Sequence, residues 1–126
     1  MRLLGMFATA FAVSGLAVSV ANAACEGTNG RGWGKGGGNG KFVMGATDKS
    51  CNISFPHFIN DAKKTRTPAN QVKFTTEPKN GKVNVVGKGL VYTPNPGFKG
   101  KDKFCTTNKS AKEKGTLRGC ITIRVK

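Results

Sequence analysis

From residue 41 to the end of the chain, apolar and polar positions alternate with a period of two. Ile53 and Phe55 are interleaved with Asn52 and Ser54, and Val72 and Phe74 flank Lys73. Phe104 and Thr106 share one parity and Cys105 takes the other, while Ile121, Ile123 and Val125 alternate with Cys120, Thr122 and Arg124. Successive side chains of a strand point to opposite faces, so this spacing predicts strands with one buried and one solvated side. Strands are expected over residues 41–45, 51–58, 71–75, 82–86, 90–93, 102–107 and 119–126. Pro56 limits backbone pairing in the second of these, as near an edge or a bend. Residues 59–70, INDAKKTRTPAN, show no helical period and read as a polar connection. Asn80-Gly81 and Gly87-Lys88-Gly89 supply tight turns, because Asn and Gly tolerate positive φ. The charged loop NKSAKEKGTLR joins the last two strands. Short strands punctuated by Gly and Pro predict an all-β antiparallel sandwich over residues 41–126.

The chain before residue 41 follows a different pattern. Residues 1–23, MRLLGMFATAFAVSGLAVSVANA, start with Arg2, run apolar and uncharged from Leu3 to Val20, and end on Ala21-Asn22-Ala23. A positive start, an apolar stretch and a small-x-small end predict a secretory signal peptide, cleaved after residue 23. A membrane anchor would need a longer span or a basic cluster directly after it. Asn22 also stands where a lipobox requires an aliphatic residue. No integral membrane span is therefore expected after cleavage, and the expected location is periplasmic or secreted. Residues 24–40, ACEGTNGRGWGKGGGNG, are dominated by glycine and predict a flexible arm, with much backbone entropy to lose and little to bury. A phosphate-binding loop is excluded, because neither Gly34-Lys35 nor Gly40-Lys41 is followed by Ser or Thr. Trp33, set between Arg31 and Lys35, has two readings. It inserts at a membrane interface or stacks on a sugar or base, or it covers an edge of the domain.

Export gives the four cysteines their meaning. An even number, Cys25, Cys51, Cys105 and Cys120, in an oxidising compartment predicts two disulfides. There is no CxxC and His57 is the sole histidine, so a zinc site lacks its ligand pairs; no metal and no other cofactor is expected. Sequence permits three pairings. If the last two strands form a hairpin centred near Lys112 and Glu113, Cys105 falls opposite Cys120 on the outer face, within bridging distance. Cys25–Cys51 then follows by elimination and would tether the arm.

Charge adds a candidate chemistry. With Arg2 lost alongside the signal, 20 cations stand against 6 acids, a net charge of +14. Cations outnumber acids in every later segment, so local pairing cannot neutralise the field. Such a field attracts polyanions: lipopolysaccharide, acidic glycans, teichoic acids or nucleic acid. Lys99, Lys101 and Lys103 alternate toward a strand with the parity of Cys105, and together with Arg31 and Lys35 they are the candidate anion-binding residues. The competing reading is that the charge serves solubility alone.

Residues 78–104 read PKNGKVNVVGKGLVYTPNPGFKGKDKF. This stretch resembles the repeat signature of bacterial Ig-like and cadherin-like domains. The signature runs Pro-x-x-Gly-x-Val, a short turn, then Tyr-x-Pro-x-x-Gly-Phe-x-Gly-x-Asp-x-Phe. Pro78, Gly81, Val83, Tyr92, Pro94, Gly97, Phe98, Gly100, Asp102 and Phe104 match it. The resemblance implies an Ig-like β-sandwich, exported and serving as a spacer or adhesive module. The chain departs from the pattern in having one domain, Thr106 in place of an aromatic, Asn108-Lys109-Ser110 in place of an acidic turn, and two cysteines in the last hairpin. The shortage of acids counts against the calcium sites of some cadherin-like arrays. Physically, Tyr92 and Phe98 are spaced to pack under a turn stiffened by Pro94 and Pro96. Gly97 and Gly100 supply unusual backbone angles, and Asp102 is placed to accept amide hydrogen bonds at the turn.

Catalytic patterns are missing from the sequence. There is no GxSxG elbow and no HExxH, the cysteines are expected to be oxidised, and Asp102 has no second carboxylate or histidine beside it in sequence. The expectation is a non-enzymatic exported module that contacts anionic surface or matrix components through its lysines. The alternatives are a purely structural envelope protein, and a cationic antimicrobial or inhibitor acting through its basic glycine-rich arm.

Overall fold

The computed structural model describes residues 25–126 with the exception of Ala46, and the signal peptide expected over residues 1–23 lies outside the described residues. The strands are β1 (Cys25–Thr28), β2 (Gly38–Met44), β3 (Cys51–Ser54), β4 (His57–Asn60), β5 (Thr65–Pro68), β6 (Gln71–Thr76), β7 (Gly81–Val86), β8 (Gly89–Pro94), β9 (Gly100–Lys109) and β10 (Leu117–Val125). One turn of 3-10 helix, Trp33–Lys35, lies between β1 and β2. Among the described residues no helix is long and apolar enough to cross a membrane.

The strands form three sheets. A five-stranded sheet runs β1-β2-β10-β9-β6, a three-stranded sheet runs β3-β8-β7, and β4 pairs with β5 alone. All pairs are antiparallel except β2 and β10, which run parallel. The fold is thus all-β, and two sheets that share one core are compatible with a β-sandwich. The period of two decides what is buried. Phe42 and Met44 of β2, Phe104 of β9, and Ile121, Ile123 and Val125 of β10 line the inner face of the larger sheet. Ile53, Leu90 and Tyr92 meet them from the smaller one.

The inner face of β9 also carries polar groups, and each has its partners. Thr106 donates to Asn108 Oδ1 at 2.6 Å, and Asn108 Nδ2 donates to the Ala69 carbonyl at 3.1 Å. Asp102 is 5% exposed. Its Oδ1 accepts from the amides of Lys79 and Lys103, each at 3.0 Å, and its Oδ2 accepts from the Asn80 amide at 3.0 Å and the Tyr92 hydroxyl at 2.7 Å. The sequence predicts a local Asx turn here. Two of the amides instead belong to the turn before β7, so the carboxylate ties the two sheets together. Gly97 and Gly100 take φ of 82° and 129°, in the region glycine favours, and Phe98 packs partly buried against the core.

Two disulfides, Cys105–Cys120 and Cys25–Cys51, join the expected pairs, and no cysteine is free among the described residues. Cys105 stands opposite Cys120 in the β9–β10 register. Cys25–Cys51 links β1 to β3, bridging the sheets at the edge away from the Asp102 tie. Two bridges point to an oxidising compartment, extracellular or periplasmic.

The structure corrects three expectations. The segment over 51–58 is two strands, because Pro56 has no amide to give; its carbonyl accepts from Ala69 at 2.9 Å instead. The polar connection over 59–70 holds the second half of β4, the turn through Lys64 at φ 53° and all of β5, which pair as a hairpin. Its outer half is exposed on both faces, so no apolar alternation marks it in the sequence.

The third correction is the flexible arm over 24–40. Cys25–Thr28 is an edge strand paired to β2, β2 itself begins at Gly38, and Trp33 is 6% exposed. The indole Nε1 donates to the Asn29 carbonyl at 2.7 Å, and the ring lies against Gly38, where a Cβ would collide with it. Gly38 in turn lies against Gly119 of β10. The glycines provide space for one large ring and close strand contact, and burial of that ring offsets the entropy of ordering the segment. Of the two readings of Trp33, covering an edge of the domain is the one that fits.

Candidate anion-binding face

The parity that turns Phe104 and Ile121 inward turns their neighbours outward, and the strand order then brings those neighbours together. Register places Lys101 opposite Arg124, which pairs with Val43 and then Glu26. The next outward row is Lys103, Thr122, Lys41 and Thr28. The third holds Cys105, Cys120 and Asn39, and the fourth Lys73, Thr107 and Arg118. Lys109, opposite Gln71, closes the pattern. Lys41, Lys73, Lys101, Lys103, Lys109, Arg118 and Arg124 are all exposed. Among the registered residues of these rows Glu26 is the only carboxylate.

Sheet geometry sets the spacing. Neighbouring strands lie about 5 Å apart, and outward residues recur about every 7 Å along each strand. Lys101 therefore lies about 5 Å across from Arg124 and about 7 Å along from Lys103, inside the screening length of about 8 Å at physiological salt, so their fields add, while the cystine row sets Lys73, Lys109 and Arg118 apart as a second group. Between them the surface is low, formed by the half-buried cystine Cys105–Cys120 and by Thr107 and Thr122. A basic sheet face with few acids can hold an extended anion along several contacts at once.

The residues singled out from the sequence divide by location. Lys101 and Lys103 belong to this face. Lys99 does not: Gly100 breaks the alternation, and Lys99 lines a shallow recess with Lys49, Lys126 and Asp48. Arg31 and Lys35 flank the buried Trp33, and Arg31 opens onto a cleft on the inner side of the sheet. The sequence alone does not single out Lys41, Lys73, Lys109, Arg118 or Arg124 as anion-binding. Their parity was readable, but the order of β2, β10, β9 and β6 was not.

Other chemistry has little to build on. Both oxygens of Asp102 are taken up by two hydrogen bonds each, which leaves no room for proton transfer to a substrate. Burial first, then the hydrogen bond to Asp102 and its charge, push the Tyr92 hydroxyl above the ordinary tyrosine pKa, so it is held as a donor. Among the described residues no three His, Cys, Asp or Glu side chains gather as a metal site would require. His57 is half-buried on the wall of the inner cleft. Compared with family models, curated proteins and solved structures, the chain matches none.

Proposed function

We propose that this chain is an exported, non-enzymatic Ig-like module that contacts anionic cell-surface or matrix polymers, such as lipopolysaccharide and acidic glycans, through the outer face of its five-stranded sheet. The observation that carries this reading is seven exposed cations gathered on one sheet face beside a single acid, Glu26. On this face local pairing cannot neutralise the cations, which stand seven to one against acids in the registered rows. The Ig-like assignment draws support from the all-β sheet arrangement and from the tie between Tyr92, Asp102 and the Pro78–Gly81 turn, which gives the matched motif residues a common structural task. The alternative of a free basic arm loses its support, because an arm whose tryptophan is 6% exposed is not free to act.

The experiment is retention of the signal-free protein on immobilised heparin and lipopolysaccharide at low salt, followed by elution with a salt gradient. Each cation that neutralises a polymer charge releases a counterion, so affinity should fall steeply as salt rises. Flow-through at low ionic strength would remove this reading.

A further inference from the structure

The inner side of the fold carries a second feature, independent of the basic face. A cleft of about 1600 Å³ opens between the β1–β2 connection, the β3–β4 segment and the β7–β8 turn. It exceeds the roughly 300–1,000 Å³ of pockets that take small metabolites. Phe42, Ile53, Phe55, Leu90 and Leu117 lie at its base. Its lips are aliphatic and in water: Ile59 of β4 is 59% exposed and Val86 of β7 is 45% exposed. Half-buried Phe58 lies between lip and base. Large aliphatic side chains left in water on two projecting hairpins, facing one cleft, mark a place where an apolar body is covered.

Charge identifies the head of that body. Arg31, Arg66 and Lys88 are the cations of the lining, with Arg66 of β5 opposite Ile59 in register and Lys88 two residues beyond Val86, and Asp61 is its only carboxylate among the described residues. Guanidinium groups pair with carboxylates through two parallel hydrogen bonds. We propose that the cleft binds a single-chain anionic amphiphile, a long-chain carboxylate. Its head meets Arg66 and Lys88 at the rim, and its apolar chain lies between Ile59 and Val86 over Phe58. A polymeric anion satisfies the cations but not the lips, and a neutral lipid does the reverse.

Trp33 is the only tryptophan of the chain and lines this cleft, so it reports occupancy directly. The test is titration of the signal-free protein with a brominated long-chain fatty acid below its micelle concentration, because bromine quenches tryptophan on contact. Saturable quenching is expected. It should need at least tenfold more ligand in Ile59→Ser/Val86→Ser, which leaves charge unchanged, and in Arg66→Gln/Lys88→Gln. Lys101→Gln/Lys103→Gln, on the outer face, should quench as the parent does while eluting earlier from heparin. The Ile59→Ser/Val86→Ser variant should do the opposite, so failure here is separate from failure of the polyanion reading. No quenching, quenching equal in all variants, or quenching only by vesicles of brominated phosphatidylglycerol would overturn the proposal.

Discussion

The hydroxyl of Tyr92 in β8 donates to Oδ2 of Asp102 in β9 at 2.7 Å, so a single hydrogen bond crosses from the three-stranded sheet to the five-stranded one. Three amides share the same carboxylate, two of them from the turn that leads into β7. Removing the acceptor would leave several donors buried without partners. Asp102→Asn should therefore cost about 3 kcal/mol, because the amide turns a donor toward other donors. Tyr92→Phe, which loses one bond, should cost about 1 kcal/mol. Urea unfolding of the two variants measures the difference, and equal costs would mean that the turn amides do not depend on Asp102.

Tyr92 also sets a limit at high pH. Its ionisation is raised by burial and then by Asp102, whereas the unfolded chain loses the same proton near about pH 10. A raised folded pKa gives stability that is fully present below that pH. It is lost as pH rises further, because the folded state then holds a proton that the unfolded state has released. Tyr92 is the single tyrosine, so tyrosinate absorbance reads this group alone. The absorbance should rise only as the fold is lost, at the same pH as the circular dichroism change. A tyrosinate signal complete near pH 10 in a folded protein would contradict the buried hydrogen bond.

The seat of Trp33 is testable through the glycine beneath it. Gly38 touches both the indole and Gly119, and a methyl group there meets the ring. Gly38→Ala should destabilise by about 1–3 kcal/mol, as overpacking does, and shift Trp33 emission to the red. Gly36→Ala makes a useful contrast. Gly36 faces open space but holds φ at 85°, so its cost should come from backbone strain without a change in Trp33 emission.

What the sequence revealed here follows from the range over which each signal acts. Alternation is local, so the strands of Phe104 and Ile121 and the pairing of Cys105 with Cys120 could be read from parity and hairpin register. The tie from Asp102 to Lys79 and Asn80 spans 23 and 22 residues, and nothing local names those partners. The β4–β5 hairpin was hidden because a mostly exposed pair leaves no apolar stripe. Composition predicts a flexible arm for the glycine-rich segment because it reports only the entropy glycine costs. It does not report the room that Gly38 gives to Trp33. For the basic face, Lys101 and Lys103 carried the right parity, but the parallel pairing of β2 with β10 brings Lys41 beside them, and strand order is not a local property.

The two disulfides should differ in what their removal loosens. Cys25–Cys51 closes 26 residues and Cys105–Cys120 closes 15, so loop entropy gives both about 3 kcal/mol. Cys25→Ser/Cys51→Ser frees the edge strand ahead of Trp33 and should red-shift its emission. Cys105→Ser/Cys120→Ser leaves β9 and β10 paired along their length and should not. Red shifts of the same size in both would mean that the Trp33 seat does not depend on the β1 anchor.

In the function proposed above, position on the sheet, and not net charge, makes this protein a polyanion binder. Two variants with equal net charge separate these. Lys101→Gln/Lys103→Gln/Arg124→Gln removes three cations from the outer sheet face, and Arg31→Gln/Lys35→Gln/Lys99→Gln removes three from elsewhere. The measurement is the salt concentration at which each elutes from heparin, beside the parent. The first variant should elute at markedly lower salt, with a shallower dependence of affinity on salt, and the second should stay close to the parent. Equal shifts in both, or a larger shift in the second, would contradict the assignment of the site to this face.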